Sequence, residues 1–305
     1  METRRIGSLE VSVVGLGCNN FGRRLDEAAT ARVVHAALDA GVTFFDTADM
    51  YGGTNSEVFL GRALRPHRNR AIVATKFGWE IDSERRGARP EYVRRAVDDS
   101  LRRLGMDRID LYQLHKPDPA VPIADTLGAL DEIVRAGKVR EIGCSNFSVQ
   151  QLIEAAEAAR RSGGARFVSV QNEYSMLKRE PEKGVLDTCA RLGLAFLPYF
   201  PLASGVLTGK YRRSQPLPAG TRITQMPADD TLVLVERLIS FAEKHRRSLL
   251  DLAFAWLLAK PMVASVIAGA TAPEQVAANV RTGEWHLSRH ELEEVDALLA
   301  EVTPA

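Results

Sequence analysis

Short apolar runs alternate with longer stretches of helical period from one end of the chain to the other. Eight runs, at residues 11–16, 43–46, 71–75, 109–114, 139–144, 167–171, 194–198 and 262–268, have the length and β-rich content of strands. Several are continuously apolar rather than alternating, as parallel strands covered on both faces are. Helical patterns fill the intervals, and their ends carry clear punctuation. Asp26 precedes a periodic run that stops at Ala40-Gly41, and Pro90 opens one that stops at Leu104-Gly105. Pro122 begins another, closing at Ala136-Gly137. Asn146 or Ser148 caps a helix to Ala159, Ser248 caps one to Lys260, and Ser288 with Glu291 forms a capping box for a last helix ending near Ala300.

Eight strand–helix units with no break in composition predict one α/β domain over residues 1–305, a (β/α)8 TIM barrel. The opening segment, 3–13, is expected to form an N-terminal β-hairpin around Ser8 that plugs the barrel bottom. Residues 211–230 carry Pro216, Pro218, Gly220 and Pro227 and are too long and broken for an ordinary connection. With 77–89 and the C-terminal segment, they are expected to shape the pocket as long loops on the active face.

A barrel gives four polar residues a common location. Asp46 ends the second run, Tyr51 follows in TFFDTADMYG, Lys76 follows the third run and His115 the fourth. Reacting groups in this fold come from the C-terminal ends of several strands, so these four converge on one mouth. A tyrosine serves as proton donor near neutral pH when its phenol, with a pKa of about 10, is made more acidic. A neighbouring ammonium does that, a carboxylate holds the ammonium, and a histidine orients the carbonyl that receives the proton. Singly, each residue has a plainer reading as a cap, a surface lysine or a structural histidine. The combination predicts carbonyl reduction.

Composition narrows the classes. Apolar residues make up 45%, charged residues 26%, and the net charge is +1, so no charge excess points to nucleic acid or membrane. The clusters Arg94-Arg95 with Arg102-Arg103, and His245-Arg246-Arg247, read as solvated helix faces. Cys18, Cys144 and Cys189 are odd in number and widely spaced, which argues against a disulfide framework or a metal site. His286 and His290 do not share a helical face ahead of Ser288, so no metal is expected there either. The N-terminus has no signal-peptide pattern and no run spans a membrane, so a cytoplasmic location is expected. Gly15, Gly17 and Gly22 lack GxGxxG spacing and do not mark a Rossmann site.

At the four mouth residues the chain resembles the aldo-keto reductase superfamily. GVTFFDTADMYGGTNSEVFLGRAL looks like its first signature and LGMDRIDLYQLH like its second, with similarity running from the GLG near the start to QVAANV. The resemblance implies a barrel that binds a nicotinamide cofactor without a Rossmann domain. It makes Tyr51 the proton donor, Lys76 with Asp46 its activators, and His115 the group that orients substrate. It places Ser145, Asn146 and Gln171 on the nicotinamide carboxamide and Tyr199 against the ring. Pro201, Leu202, Gly205 and Lys210 would line the diphosphate path, and Gly269, Thr271, Gln275 and Asn279 the adenosine-phosphate end.

Three positions depart from the pattern. Phe200 stands where relatives commonly carry Ser, Ala278 where an acidic residue often contacts adenine, and residues 269–279 contain no Lys or Arg for a 2′-phosphate. NADPH is the expected cofactor, with NADH the alternative. Asn20, Phe21 and Trp79 are candidates for the substrate pocket. The expected activity is NAD(P)H-dependent reduction of small-molecule aldehydes or ketones. The alternatives are an NAD-dependent sugar or polyol dehydrogenase, and a cofactor-binding regulatory subunit with weak turnover.

Overall fold

The structure is a computed structural model that describes residues 1–218 and 221–301. Two short antiparallel strands, β1 (Thr3–Ile6) and β2 (Leu9–Ser12), form the opening hairpin. Eight parallel strands follow: β3 (Val14–Gly17), β4 (Phe44–Asp46), β5 (Ile72–Phe77), β6 (Ile109–Leu114), β7 (Val139–Ser145), β8 (Phe167–Glu173), β9 (Ala195–Tyr199) and β10 (Val266–Gly269). They pair in sequence order, and β10 returns to pair with β3. Between β9 and β10 the ring closes through two backbone bonds, Phe196 N to Met262 O (2.7 Å) and Ala264 N to Phe196 O (3.1 Å). This is the predicted (β/α)8 barrel with its hairpin.

Two strand boundaries differ from the apolar pattern. The run 11–16 is split at Val13, between β2 and β3, directly after the polar Ser12. Its backbone N–H donates to Thr43 Oγ1 (2.9 Å), Thr43 N donates back to Ser12 Oγ (3.0 Å), and that hydroxyl donates to Val14 O (2.7 Å). These bonds turn the chain from the hairpin into the barrel. The run 262–268 touches β9 first and joins the sheet as a strand only from Val266.

The helix punctuation is largely realised. Asp26 accepts from Ala29 N at 2.8 Å, helix Pro90–Leu104 stops at Gly105 with φ 63°, and Ser148 and Ser248 each form a capping box. Ser288 and Glu291 bond reciprocally ahead of helix Arg289–Glu301. The long segment is shorter than expected, since helix Asp229–Lys244 begins inside it. Gly220, one of its breakers, lies outside the described residues.

Period-two geometry then builds the site. Phe44, Ala74 and Leu111 form an apolar layer inside the barrel with Ile6, Leu9 and Val11 of the hairpin. Two residues further along the same strands stand Asp46, Lys76 and Gln113. Side chains two apart share a face, so each strand runs from an apolar floor to a polar mouth. The hairpin is tied across the floor by Arg4, which donates to Val263 O (2.7 Å) and Leu258 O (2.9 Å), and by Ser8 N to Glu141 Oε1 (2.7 Å).

Candidate active site

Asp46 and Lys76 are buried side by side at the polar end. Lys76 Nζ donates to Asp46 Oδ2 (2.5 Å) and to Thr47 O (2.9 Å). Asp46 Oδ1 accepts from Gln113 Nε2 (3.1 Å) and Gln171 Nε2 (3.0 Å). Three donors therefore hold one carboxylate, and the ammonium keeps one N–H beyond its two bonds. Tyr51 lies above it, with Nζ 5.2 Å from the centre of the ring. A turn of left-handed residues positions that ring: Gly52 (φ 58°), Gly53 (φ 62°) and Thr54 (φ 79°). A Cβ on Gly52 would lie 2.3 Å from Phe21 O, so glycine is needed for the turn to sit against the loop after β3.

His115 meets Tyr51 edge-on, with ring centres 5.8 Å apart, and packs against Trp79 at 5.2 Å. Burial, with Lys76 and Lys116 nearby, holds the imidazole well below its usual 6.5, so it is neutral at neutral pH. Its Nδ1 is buried without a partner. Burial works against the Lys76 charge, but Asp46 and Tyr51 outweigh it and raise the ammonium above its ordinary value.

The phenol runs against expectation. Burial pushes Tyr51 above 10, Lys76 pulls it down, and Asp46 pushes it up again. The net direction is upward, not downward as the residue types alone suggested. Desolvation is the main cause, and the carboxylate that holds the ammonium also offsets its field.

A second group of side chains meets beside this one. Asn146, with φ 62°, donates from Nδ2 to His115 O (2.9 Å) and Ser145 Oγ (3.2 Å), and accepts at Oδ1 from Tyr199 OH (2.9 Å). Ser145 Oγ donates to Gln171 O at 2.7 Å. Both groups open on one cavity of about 1170 Å³. Its wall carries Asp46, Tyr51 and His115, the carboxamide and ring candidates Ser145, Asn146, Gln171 and Tyr199, and Pro201, Leu202, Gly205 and Lys210. Gly269, Thr271, Gln275, Asn279, Asn20 and Trp79 line it as well. Gln275 Oε1 accepts from Thr271 N (2.7 Å) and its hydroxyl (3.2 Å).

Two candidates stand off the wall. Lys76 lies behind Asp46 and Tyr51. Phe21 is fully buried in the apolar core and does not face the cavity, a correction to its expected place in the substrate pocket. The hydrophobic ring is drawn inward where the loop after β3 folds back on the barrel.

Other wall residues carried no advance signal. Arg23, Arg24, Met50 and Arg222 line the cavity, and so does Phe200, which had been marked only as a departure from the family pattern. Arg103, expected on a solvated face, instead turns inward: its Nε donates to Glu57 Oε2 at 2.6 Å, with the Glu57 side chain fully buried. Glu57 Oε1 accepts from Thr75 Oγ1 at 2.6 Å. Near this pair burial and the Glu57 charge raise the Asp49 carboxyl to about 8. Cys18, Cys144 and Cys189 are free and buried.

A sequence profile of the Aldo/keto reductase family matches residues 13–300. The chain belongs to this family. It is 32% identical to "Protein tas" of Escherichia coli (strain K12), across 98% of this chain and 97% of that one. It is 34% identical to "Probable aldo-keto reductase 1" of Glycine max, covering 94% and 85%. At 33% identity, covering 92% and 90%, it also matches a "Probable voltage-gated potassium channel subunit beta" of Oryza sativa subsp. japonica. Among solved structures, aldo-keto reductase AKR11C1 from Bacillus halodurans, in its holo form, aligns with a TM-score of 0.81 at 33% identity, covering 98% of this chain and 96% of that one. Family and fold together support an oxidoreductase of carbonyl compounds. Among the described residues, no helix of this aldo/keto reductase is long and apolar enough to cross a membrane.

Proposed function

We propose that the protein reduces an aldehyde or ketone with NADPH, with Tyr51 giving the proton to the carbonyl oxygen. The observation that carries this reading is the buried Lys76–Asp46 pair beneath Tyr51, beside a neutral His115, on the wall of the large cavity. His115, neutral, has one N–H to direct at the carbonyl oxygen and so hold the substrate in line. Tyr51 protonates that oxygen as negative charge develops on it. An alkoxide is a stronger base than a phenolate, so the transfer runs downhill even from a phenol above its ordinary pKa. Lys76, kept cationic by Asp46, stabilises the phenolate left behind. A bound reduced nicotinamide would supply the hydride.

The donor set suits such a cofactor. Asn146 has spent both N–H groups but keeps one lone pair on Oδ1, and Gln171 has given one N–H to Asp46 and keeps the other with its carbonyl. A carboxamide offers the complementary donors and acceptor. At Gly205, Lys210 Nζ lies 3.2 Å from where a Cβ would sit, leaving a lysine beside bare backbone where a diphosphate needs charge and close approach. NADPH is chosen on family grounds. Thr271 and Gln275 can hydrogen-bond a 2′-phosphate without neutralising it, so a kcat/KM favouring NADH would overturn that choice.

The raised phenol also bears on direction. Burial holds the Tyr51 phenol protonated near neutral pH, which is the form that donates in reduction. Tyr51→Phe tests the core of the reading. Turnover is expected to fall by about 10²–10⁴-fold, with cofactor binding, followed by fluorescence, largely kept. A variant retaining most of kcat would place the proton source elsewhere. The resemblance to a named channel β subunit keeps a regulatory role as the second reading, for which very slow turnover with every carbonyl and co-purified nucleotide would speak.

A further inference from the structure

The turn that carries Tyr51 is flanked by two buried carboxyls outside the barrel, and only one of them is paired. Asp49 precedes Tyr51, and Glu57 follows it on helix Asn55–Leu64, past the left-handed residues 52–54. Glu57 is taken: its Oε1 accepts from Thr75 and its Oε2 from Arg103. Asp49 is 1% exposed, and among the described residues neither of its carboxyl oxygens meets a well-formed hydrogen bond. Its backbone, by contrast, is fixed. Thr47 N donates to Ala74 O (2.9 Å) and Asp49 N to Lys76 O (3.0 Å), so the segment lies bonded along the end of β5. Tyr51 N then donates back to Ala48 O at 3.2 Å. Asp49 is thus bonded to the main chain of the buried lysine and stands next but one to the phenol.

A carboxylate buried without donors is costly, and a second one beside Glu57 adds repulsion to desolvation. The titratable groups that face Asp49 are Glu57, Arg103 and Tyr92 from helix Pro90–Leu104, and Tyr112 from β6, whose hydroxyl is also buried and unpaired. Burial and then the Glu57 charge raise the Asp49 carboxyl to about 8, against the pull of Arg103 and Tyr92. Below that pH the outer side of the turn holds one carboxylate and its cation. Above it, two carboxylates share one guanidinium. Tyr51 and Lys76 are pushed above their ordinary values and His115 is held well below its own, so none of the three changes charge in that window.

We propose that Asp49 is a positioning residue: as a neutral acid it seats the Tyr51 turn against β5, and its ionisation drives the turn away from Glu57 and shifts the phenol off Lys76. This rests on the reductase reading above and adds a control of the same site. Asp49 is not on the cavity wall, so it acts through the backbone of the turn rather than on substrate or cofactor. A small shift is enough. Lys76 stabilises the phenolate only while the ring stands over Nζ, and misplacing a reacting group by about 1 Å costs roughly 10²-fold in rate.

The test follows kcat against pH at saturating cofactor, with the fastest-reduced member of a panel of benzaldehydes and short aliphatic aldehydes. The parent should hold its kcat to about pH 7 and lose about tenfold or more by about pH 10, in one step centred near 8. Asp49→Asn keeps the shape and cannot ionise, so it should retain most of kcat near neutral pH and remove the step. Asp49→Ala should lose kcat severalfold at every pH, a loss that Asn rescues. Arg103→Leu removes the cation that favours the carboxylate, so its step should move to higher pH with kcat near neutral pH kept. Cofactor dissociation constants, read by fluorescence, should stay level across the step in all four proteins. A parent profile without the step, or a step that persists in Asp49→Asn, overturns the inference and leaves the reductase reading standing. So does a step that tracks cofactor affinity, or loss of folded protein by circular dichroism. Turnover of no aldehyde at all sinks the reductase reading and this inference with it.

Discussion

Asp46 and Glu57 are both buried carboxylates, each held by one cation, and they face opposite sides of the same strand. Asp46 points into the barrel, where Lys76 Nζ meets it at 2.5 Å, while Glu57 lies outside, where Arg103 Nε meets it at 2.6 Å. β5 serves both, because neighbouring side chains on a strand alternate faces: Lys76 goes in to Asp46 and Thr75 goes out to Glu57. The inner pair borders the cavity and uses lysine, a compact charge with a spare N–H beneath a phenol. The outer pair sits between the barrel and its helices and uses arginine, always charged and fixed in its fork. One electrostatic device thus lies beneath the proposed proton donor on one face and braces the wall behind it on the other.

The largest expected effect comes from breaking the inner pair. Lys76→Met removes the cation from beneath Tyr51 and strands Asp46. Turnover should fall by about 10²–10⁴-fold, and the fold should lose about 3–5 kcal/mol, as expected when a buried partner is removed. Chemical denaturation and steady-state kinetics read the two losses separately. Breaking the outer pair should separate them further. Arg103→Leu strands Glu57 and should cost a similar ~3–5 kcal/mol, yet folded enzyme assayed at low temperature should keep most of its kcat. A loss of kcat in Arg103→Leu as deep as that in Lys76→Met would erase the distinction between the two faces.

Much of this arrangement was legible in the residues. Asp46, Lys76 and His115 could be placed on one mouth because each ends a short apolar run, and in a parallel barrel all such ends point the same way. The hairpin plug and the helix caps were readable for a similar reason: they depend on local chemistry and period. What was hidden depends on contacts made across the fold. Phe21 looked like a mouth residue by position but is drawn into the core. Arg103 sits in a run of arginines that suggested solvent, and nothing along the chain announces the buried Glu57 it pairs with. Tyr51 is the sharpest case. Its residue type and its lysine suggested an acidified phenol, but the direction depends on how deeply the ring is covered and how closely Asp46 offsets Lys76.

Asp49 extends the contrast into pH. Its carboxyl is raised from an ordinary 3.8 to about 8 by burial and by the Glu57 charge. Between those values the folded protein keeps a proton that the unfolded chain releases. Stability therefore declines as pH climbs through this window and levels off above it. Asp49→Asn removes the titration, so its melting temperature should be flatter with pH and should gain on the parent toward pH 8. Parallel profiles for the two proteins would mean that Asp49 is ionised in the fold. The profile of kcat/KM should show no limb near 6.5 from His115, which is already neutral there.

The smallest effect is the finest probe, because it alters a single atom position on the strand that serves both pairs. Thr75→Val keeps the β-branched shape and deletes only the hydroxyl that donates to Glu57 Oε1 at 2.6 Å. A lost hydrogen bond to a buried charge is worth about 1.5–3 kcal/mol, and the remaining Arg103 contact keeps Glu57 from being stranded. The next residue along is Lys76, so any distortion of β5 would register at once in kcat. If the two faces are separable as their side chains suggest, stability drops by that modest amount and kcat/KM does not move. A fall in kcat/KM larger than the fall in stability would mean that the outer network reaches through the strand and sets the position of the ammonium itself.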